Sequence, residues 1–155
     1  HLALQYLDFS NPDAAGQVEA LREKRLLTRE QADSVDVGQL EALLVSPLGE
    51  EIRGGKNVLR EYPFTVLIPA MELDEDAGDD QVLLQGVVDC CFETEEGLTV
   101  VDFKSDRVFG EEVARRAERY RPQLTAYGTA LERVLEKKVI RRTLYFLTPG
   151  ETVNL

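Results

Sequence analysis

The sequence predicts a mixed α/β domain, and three observations along its 155 residues support this prediction. Residues 1–50 carry apolar side chains mainly at helical spacing. After Gly54 and Gly55 the chain contains segments rich in branched and aromatic side chains, which are typical of strands. A long helical pattern then runs from Glu111 to about Glu136 and is followed by another strand-like segment. The expected order is helices, a strand, a hairpin of two strands, a long helix and a strand.

The first 50 residues are predicted to form a helical subregion. The opening "HLALQYLDF" has helical spacing and ends at the turn cluster "SNPD", and a second helix is predicted from Ala14 to about Leu26. Thr28 followed by Gln31 resembles a capping box and starts a third helix. A fourth helix is expected over residues 36–45, ended by Pro47.

Residues 56–155 are predicted to form the α/β core of a single domain that spans residues 1–155. A strand is expected from about Leu59 to Ile68, and the two strands "VLLQGVVDCCFE" and "LTVVDFK" are joined by "TEEG" in a hairpin. In the long helix Pro122 predicts a kink or the first turn of a second segment. A strand over residues 139–147 and a short edge strand in "ETVNL" complete the predicted sheet.

Composition limits the classes of function. A net charge of −11 repels polyanions, which argues against autonomous nucleic-acid binding. No run approaches the roughly 18 apolar residues of a membrane helix, and the opening residues lack the features of a signal peptide, so we expect a cytoplasmic protein without membrane contact. Because the chain begins with His in a helical pattern, we also expect a fragment of a longer polypeptide.

The chain contains two cysteines, Cys90 and Cys91, which are adjacent in a predicted strand. Consecutive side chains of a strand point to opposite faces, so this pair predicts neither a disulfide framework nor a four-ligand zinc site. We expect both to be small buried apolar side chains.

Three charged residues interrupt segments that otherwise have the pattern of buried strands: Asp89, Asp102 and Lys104. Alternate residues of a strand share a face, so Asp102 and Lys104 point the same way while Phe103 joins the core. A hairpin turn near residues 95–97 would bring Asp89 beside Asp102. Two adjacent carboxylates repel each other unless a cation lies between them, and their oxygens suit Mg²⁺ or Mn²⁺.

Lys104 indicates which chemistry this pair of carboxylates would perform. An ammonium there can help orient an attacking water and stabilise charge on a phosphate during phosphodiester hydrolysis. The alternative is a surface ion pair between Asp102 and Lys104, because the D-x-K pattern alone is common. The order of the segments favours a site, since a helix with Gln123 and Tyr127 on one face follows the hairpin.

The order of "GVVD", "DFK" and "QLTAY" resembles that of the PD-(D/E)XK nucleases of the RecB-like group, and the opening and closing stretches resemble AddAB-type helicase-nucleases. The matching stretches cover essentially the whole chain: "HLALQYLDF", "REYPF", "LQGVVDCCFE", "VVDFKSDR", "YRPQLTAYGTALERV" and "TLYFLTPGETVNL". The resemblance implies a restriction-endonuclease-like fold and metal-dependent cutting of DNA during double-strand-break repair. It also implies a helicase motor that delivers one DNA strand, together with an AddB-type partner; this chain has no G-x-x-x-x-G-K-[ST] loop, so the motor would lie elsewhere.

The resemblance also implies roles for individual residues. It assigns Asp89, Asp102, the backbone carbonyl of Phe103 and His1 to the binding of the metal ion, and it makes Lys104 the catalytic lysine. His1 is the only His of the chain. Considered as an isolated residue, it has the alternative of being a frayed terminus.

Gln123 and Tyr127 match a motif that lies close to the active site and the scissile strand, and Glu61 matches an acidic position of the preceding strand. Their alternatives are helix packing and a solvent-exposed side chain. One alternative for the whole chain is a non-catalytic module that holds DNA or a partner on the same fold. A second is a stand-alone exonuclease, including enzymes with an iron–sulfur cluster, which needs separated Cys ligands that Cys90 and Cys91 do not provide.

Overall fold

The computed structural model describes residues 2–155, so His1 and its predicted role as a metal ligand lie outside the described residues. The helices within this range are α1 (Leu2–Gln5), α2 (Ala14–Glu23), α3 (Arg29–Ser34), α4 (Val37–Val45), α5 (Pro47–Gly54) and α6 (Glu111–Leu135), with a 3-10 helix at Ala70–Glu72. The strands are β1 (Lys56–Pro69), β2 (Gln81–Glu93), β3 (Leu98–Lys104), β4 (Val139–Phe146) and β5 (Glu151–Asn154).

The five strands form one mixed sheet in the order β1-β2-β3-β4-β5. β3 and β4 are parallel, and the other neighbouring pairs are antiparallel. A parallel pair needs a crossover connection, and α6 lies in the connection between β3 and β4. The predicted mixed α/β fold, with its hairpin and long helix, is confirmed.

The sheet separates two hydrophobic cores. On one face, side chains of α1–α5 pack against Val101, Phe103 and Tyr145; we call this the N-terminal-side core. On the other face, side chains of α6 pack against Val100 and Leu144; we call this the α6-side core. Alternate residues of β3 and β4 therefore point to opposite cores, as the pleat of a strand requires.

The N-terminal helices begin at the caps that the sequence indicates, with one difference at Pro47. Thr28 and Gln31 form the predicted capping box, and Asp36 caps α4. Pro47 does not simply end the helical part, as we expected; it is the first residue of α5, whose N-cap is Ser46. Proline suits this position because the first turn of a helix has no internal acceptor for its backbone N–H.

The strands and the long helix lie where the pattern predicts them, although β1 is longer than expected at both ends. α6 continues through Pro122 as one 25-residue helix, and Pro122 is exposed to solvent. The predicted edge strand is β5, which pairs with β4. Within residues 2–155, no helix combines the length and the apolar character needed to cross a membrane.

Candidate active site

The candidate site lies where β2 and β3 separate. β2 pairs with β1 over most of its length, but it pairs with β3 only from Cys90 to Glu93. The last pair of that ladder joins Cys90 to Val101, and the next residues in the register are Asp89 and Asp102. The fork between the strands therefore brings the two carboxylates together without a backbone ladder between them.

Asp89 is fixed in this fork by a backbone hydrogen bond. The Phe103 N–H donates to Asp89 Oδ2 at 2.9 Å, and the Asp102 carboxyl lies within hydrogen-bonding reach. Burial, and after it the negative charge of Asp102, raises the pKa of Asp89 to about 7. This is the behaviour predicted for two neighbouring carboxylates with no cation between them.

Asp102 is buried, with 5% of its surface exposed, and it shares a face of β3 with Lys104. Lys104 Nζ lies 2.5 Å from Asp102 Oδ2, so the two form an ion pair. The angles of this contact do not make a hydrogen bond, and within the described residues the buried Oδ2 atom accepts none. Asp102 therefore has an unused acceptor directed into the fork.

Lys104 is held by three side chains of α6. Its Nζ donates to Gln123 Oε1 at 3.0 Å, and Gln123 Nε2 donates to the Tyr127 hydroxyl at 3.1 Å. Nζ also lies 4.0 Å from the centre of the Tyr120 ring, a cation–π contact. Of the predicted residues, the structure thus brings Asp89, Asp102, Lys104, Gln123 and Tyr127 into one connected group.

The structure adds a network that the sequence prediction left out. The Tyr120 hydroxyl donates to Asp106, and Arg116 forms an ion pair with the same carboxylate at 2.7 Å. Burial raises the pKa of Asp106, but the hydrogen bonds from Arg116 and Tyr120 outweigh it and hold this pKa below its usual range. One signal was present in the sequence, because Tyr120 lies three residues before Gln123 and seven before Tyr127, on the same side of the helix.

Glu61 lies on β1 next to the fork, in a conformation that few residues other than glycine adopt. Its φ is 47°, in the left-handed region. Leu59 and Tyr62 both pack against the α6-side core although they are three residues apart, so the alternation of faces is interrupted at this point. The charge of Glu61 raises the pKa of Asp89, although less than burial and Asp102 do.

The N-terminal helix is tied to the same end of the sheet. Arg60 donates to the backbone carbonyls of Leu4 and Leu7, and its guanidinium lies over the Phe9 ring at 4.9 Å. Phe9 in turn stacks on Phe103 with ring centres 6.5 Å apart. The residues that follow His1 are therefore anchored beside the strand that carries Asp102.

The described residues offer two carboxylates to a metal ion and no larger cluster. Within residues 2–155 no group of three or more His, Cys, Asp or Glu side chains is placed to hold a metal ion. The unused buried oxygen of Asp102 and the raised pKa of Asp89 nevertheless fit a hard divalent cation, which would satisfy both. The residues present therefore fit a two-carboxylate site. The carbonyl of Phe103 and the side chain of His1 remain predicted ligands.

Comparison with known proteins agrees with this geometry. Residues 1–154 match the model of the PD-(D/E)XK nuclease superfamily. The chain is similar to proteins named as the AddA subunit of an ATP-dependent helicase/nuclease: it is 38% identical over 161 residues to that of Ruminiclostridium cellulolyticum and 40% over 159 residues to that of Acetivibrio thermocellus. A third relative, from Bacillus cereus strain G9842, is 34% identical over 169 residues.

These alignments cover nearly all of this chain but a small part of each relative. They include 100%, 99% and 100% of the chain, but only 13%, 13% and 14% of the three relatives, in the order given. The family match, in contrast, extends over almost the whole sequence and includes the fork with Asp89, Asp102 and Lys104. The chain belongs to the PD-(D/E)XK nuclease superfamily.

Proposed function

We propose that this domain is a metal-dependent deoxyribonuclease that hydrolyses phosphodiester bonds at the fork between β2 and β3. The observation that carries the proposal is the convergence of two carboxylates and one ammonium at this fork, with Lys104 contacting both Asp102 and Gln123. Membership of a nuclease superfamily supports the reaction class. Because Asp89, Asp102 and Lys104 are all present, no observation favours a non-catalytic module.

The side chains have separate tasks in this proposal. Asp89 and Asp102 would hold Mg²⁺ or Mn²⁺, with the Phe103 carbonyl and His1 as further proposed ligands, and Glu61 would contribute through its charge. When bound, the metal ion would supply Lewis-acid stabilisation of charge on the phosphate. Its positive charge would also hold the Asp89 carboxylate in its ionised form.

Lys104 would stabilise the negative charge that develops on the phosphate under attack. Gln123 orients this ammonium by accepting one of its hydrogen bonds, and Tyr127 orients the Gln123 amide in turn. Such preorganised donors stabilise a transition state because they need no reorganisation during the reaction. In this proposal Gln123 and Tyr127 therefore position Lys104 and the strand rather than react themselves.

We further propose that the domain acts inside a longer cytoplasmic helicase-nuclease in double-strand-break repair. The three relatives are named as subunits of an ATP-dependent helicase/nuclease, and this chain spans only 13–14% of their length. A motor elsewhere in such a protein, together with an AddB-type partner, would deliver single-stranded DNA to the site. This arrangement would explain how a domain with a net charge of −11 acts on a polyanion.

The test is cutting of end-labelled single-stranded DNA by the purified domain with Mg²⁺, with Mn²⁺ or with EDTA. We expect metal-dependent cutting that falls at least about a hundredfold in Asp102→Asn and Lys104→Ala, since removal of one charge-stabilising group costs on this order. The matched controls are Asp79→Asn in the exposed loop between β1 and β2, and Lys138→Ala at the far end of β3, which should cut normally. Cutting that survives both site substitutions would contradict the proposal, and so would a domain that shows neither cutting nor stabilisation by Mg²⁺.

A further inference from the structure

Three arginines surround a small cavity on α6, outside the carboxylate site. Arg115, Arg116 and Arg119 line this cavity of about 190 Å³ together with Glu112. The whole chain has 29 acidic and 18 basic side chains, so this group reverses the prevailing sign of charge. A local basic patch of this kind attracts anions even on an acidic protein.

Two of these guanidinium groups are available to a ligand. Arg116 is occupied by its ion pair with Asp106, whereas Arg115 and Arg119 are exposed. Within the part of the chain that the structure describes, neither Arg115 nor Arg119 makes an ion pair or a side-chain hydrogen bond. An exposed guanidinium without a partner presents a planar set of donors that matches the oxygens of a phosphate.

The two arginines lie on the helix that positions Lys104. Arg119 precedes Gln123 by four residues and Arg115 precedes it by eight, so they lie roughly 6 and 12 Å before Gln123 along the axis of α6. At about 3.4 Å per nucleotide of a stacked strand, these distances correspond to about two to four nucleotides. A strand that has one phosphate at Lys104 can therefore reach both guanidinium groups.

An exposed aromatic side chain lies at the start of the same helix. Phe109 is 62% exposed, which is the largest exposed fraction among the aromatic side chains of residues 2–155. Its backbone carbonyl accepts from the Glu112 N–H in the first turn, and its loop is fastened to α6 by Asp106. Surfaces that bind single strands combine such aromatic platforms with basic groups, because every unpaired base has a face on which a ring can stack.

We propose that Phe109, Arg115 and Arg119 form a binding track for the single-stranded DNA that enters the carboxylate site. Arg115 and Arg119 contact successive phosphates, and Phe109 stacks on an unpaired base. The proposal rests on the proposed nuclease function for the identity of the strand, but it adds a separate contact surface along α6. Duplex DNA does not fit the same description, since its bases are paired and stacked and offer no free face to Phe109.

The test is binding of a fluorescein-labelled oligothymidine, followed by fluorescence anisotropy in EDTA over a series of salt concentrations. The variants are Phe109→Ala, Arg115→Glu and Arg119→Glu, and Lys138→Glu is the matched control because it makes the same change of charge at the far end of β3. We expect Phe109→Ala to weaken binding about fivefold or more. Each arginine variant should lower the slope of log affinity against log salt by about 0.7, as for one lost phosphate contact.

All four side chains are exposed, so circular dichroism should confirm that every variant folds. Arginine variants that bind no more weakly than Lys138→Glu would overturn the proposal, and so would failure of the unchanged domain to bind at low salt. Loss of duplex binding equal to the loss of single-strand binding in Phe109→Ala would overturn the stacking role. Because EDTA prevents metal-dependent cutting, binding through the track without any cutting in Mg²⁺ would instead count against the proposed nuclease function alone.

Discussion

At the scale of single residues, the protonation of Asp89 makes the stability of the metal-free domain depend on pH. Burial and the charge of Asp102 raise the pKa of Asp89 to about 7 in the folded protein, whereas an aspartate in an unfolded chain titrates near about 3.9. The folded state therefore binds this proton more tightly than the unfolded state does. The resulting stabilisation is fully present below about pH 4 and is lost as the pH rises through about 7.

Asp89→Asn should remove this dependence on pH. The amide oxygen can still accept the hydrogen bond from the Phe103 N–H, but it carries no charge beside Asp102. In EDTA we expect the free energy of unfolding of the variant to exceed that of the unchanged domain by roughly 1–2 kcal/mol at pH 8, with a difference that shrinks toward pH 4. Urea denaturation at the two pH values measures this difference, with Asp79→Asn as control. A difference that is equal at both pH values would show that Asp89 has an ordinary pKa.

The contact between Lys104 and Gln123 can be tested separately from the carboxylates. Gln123→Ala removes the acceptor of the Lys104 ammonium, whereas Tyr127→Phe removes only the hydroxyl behind it. One hydrogen bond contributes roughly 1 kcal/mol, or about fivefold in rate. We expect kcat for cutting to fall about fivefold or more in Gln123→Ala and about twofold in Tyr127→Phe, with the exposed Thr125→Ala unchanged.

Single-turnover cutting with Mg²⁺ measures these rates without interference from product release. A fully active Gln123→Ala, beside an inactive Lys104→Ala, would show that the lysine does not need this orientation. Equal losses in Gln123→Ala and Tyr127→Phe would show instead that the hydroxyl of Tyr127 acts directly on the strand.

At the scale of elements, the sequence predicts those features that depend on local periodicity. The strands with Asp89 and Asp102 and the face of α6 with Gln123 follow from repeats of two and of about 3.6 residues. The first turn of α5 could also have been predicted, because Ser46 before Pro47 is a recognised helix start. These features need no knowledge of distant parts of the chain.

Other features of the site depend on contacts between distant segments. The left-handed conformation of Glu61 has no local signal, since glutamate rarely adopts it outside a fold that requires it. The hydrogen bond from Tyr120 to Asp106 joins residues that are 14 positions apart. Such contacts require knowledge of how the loop before α6 packs against the helix, which periodicity does not contain.

The β1–β2 hairpin and α6 meet at Gly86, which leaves no room for a side chain. A Cβ atom there would lie 3.0 Å from the buried Phe64 ring and 3.2 Å from the Tyr127 ring. These rings already pack edge to face with centres 5.4 Å apart. We expect Gly86→Ala to lower the free energy of unfolding by about 1–2 kcal/mol and to slow cutting, because Tyr127 must move away from Gln123.

Gly54→Ala is the matched control for this substitution. A Cβ at Gly54 would meet no atom within 4 Å, and the residue ends α5. We expect it to be neutral or to stabilise the domain by about 0.5 kcal/mol, because alanine restricts the unfolded chain more than glycine does. Urea denaturation and the cutting rate of both variants provide the comparison. A Gly86→Ala domain as stable as Gly54→Ala would show that the two rings yield easily.

At the scale of the whole molecule, the two faces of the sheet can be followed separately through the adjacent cysteines. Cys90 packs in the N-terminal-side core and Cys91 in the α6-side core, and each is at most 1% exposed. Burial raises the pKa of Cys90 to about 12 and that of Cys91 to about 11. Because the thiolate is the reactive form, both thiols should resist labelling until the surrounding core opens.

The single-cysteine variants Cys90→Ala and Cys91→Ala therefore test whether residues 2–155 unfold as one unit. Both cores share the same central strands β3 and β4, so loss of one face should expose the other. We expect the midpoint of thiol labelling in urea to coincide with the midpoint of circular dichroism in each variant. The comparison within one variant removes the effect of the alanine on its stability. If Cys90 were labelled at urea concentrations that leave Cys91 protected, α1–α5 would unfold independently of the sheet and α6, and the single-unit prediction would be wrong.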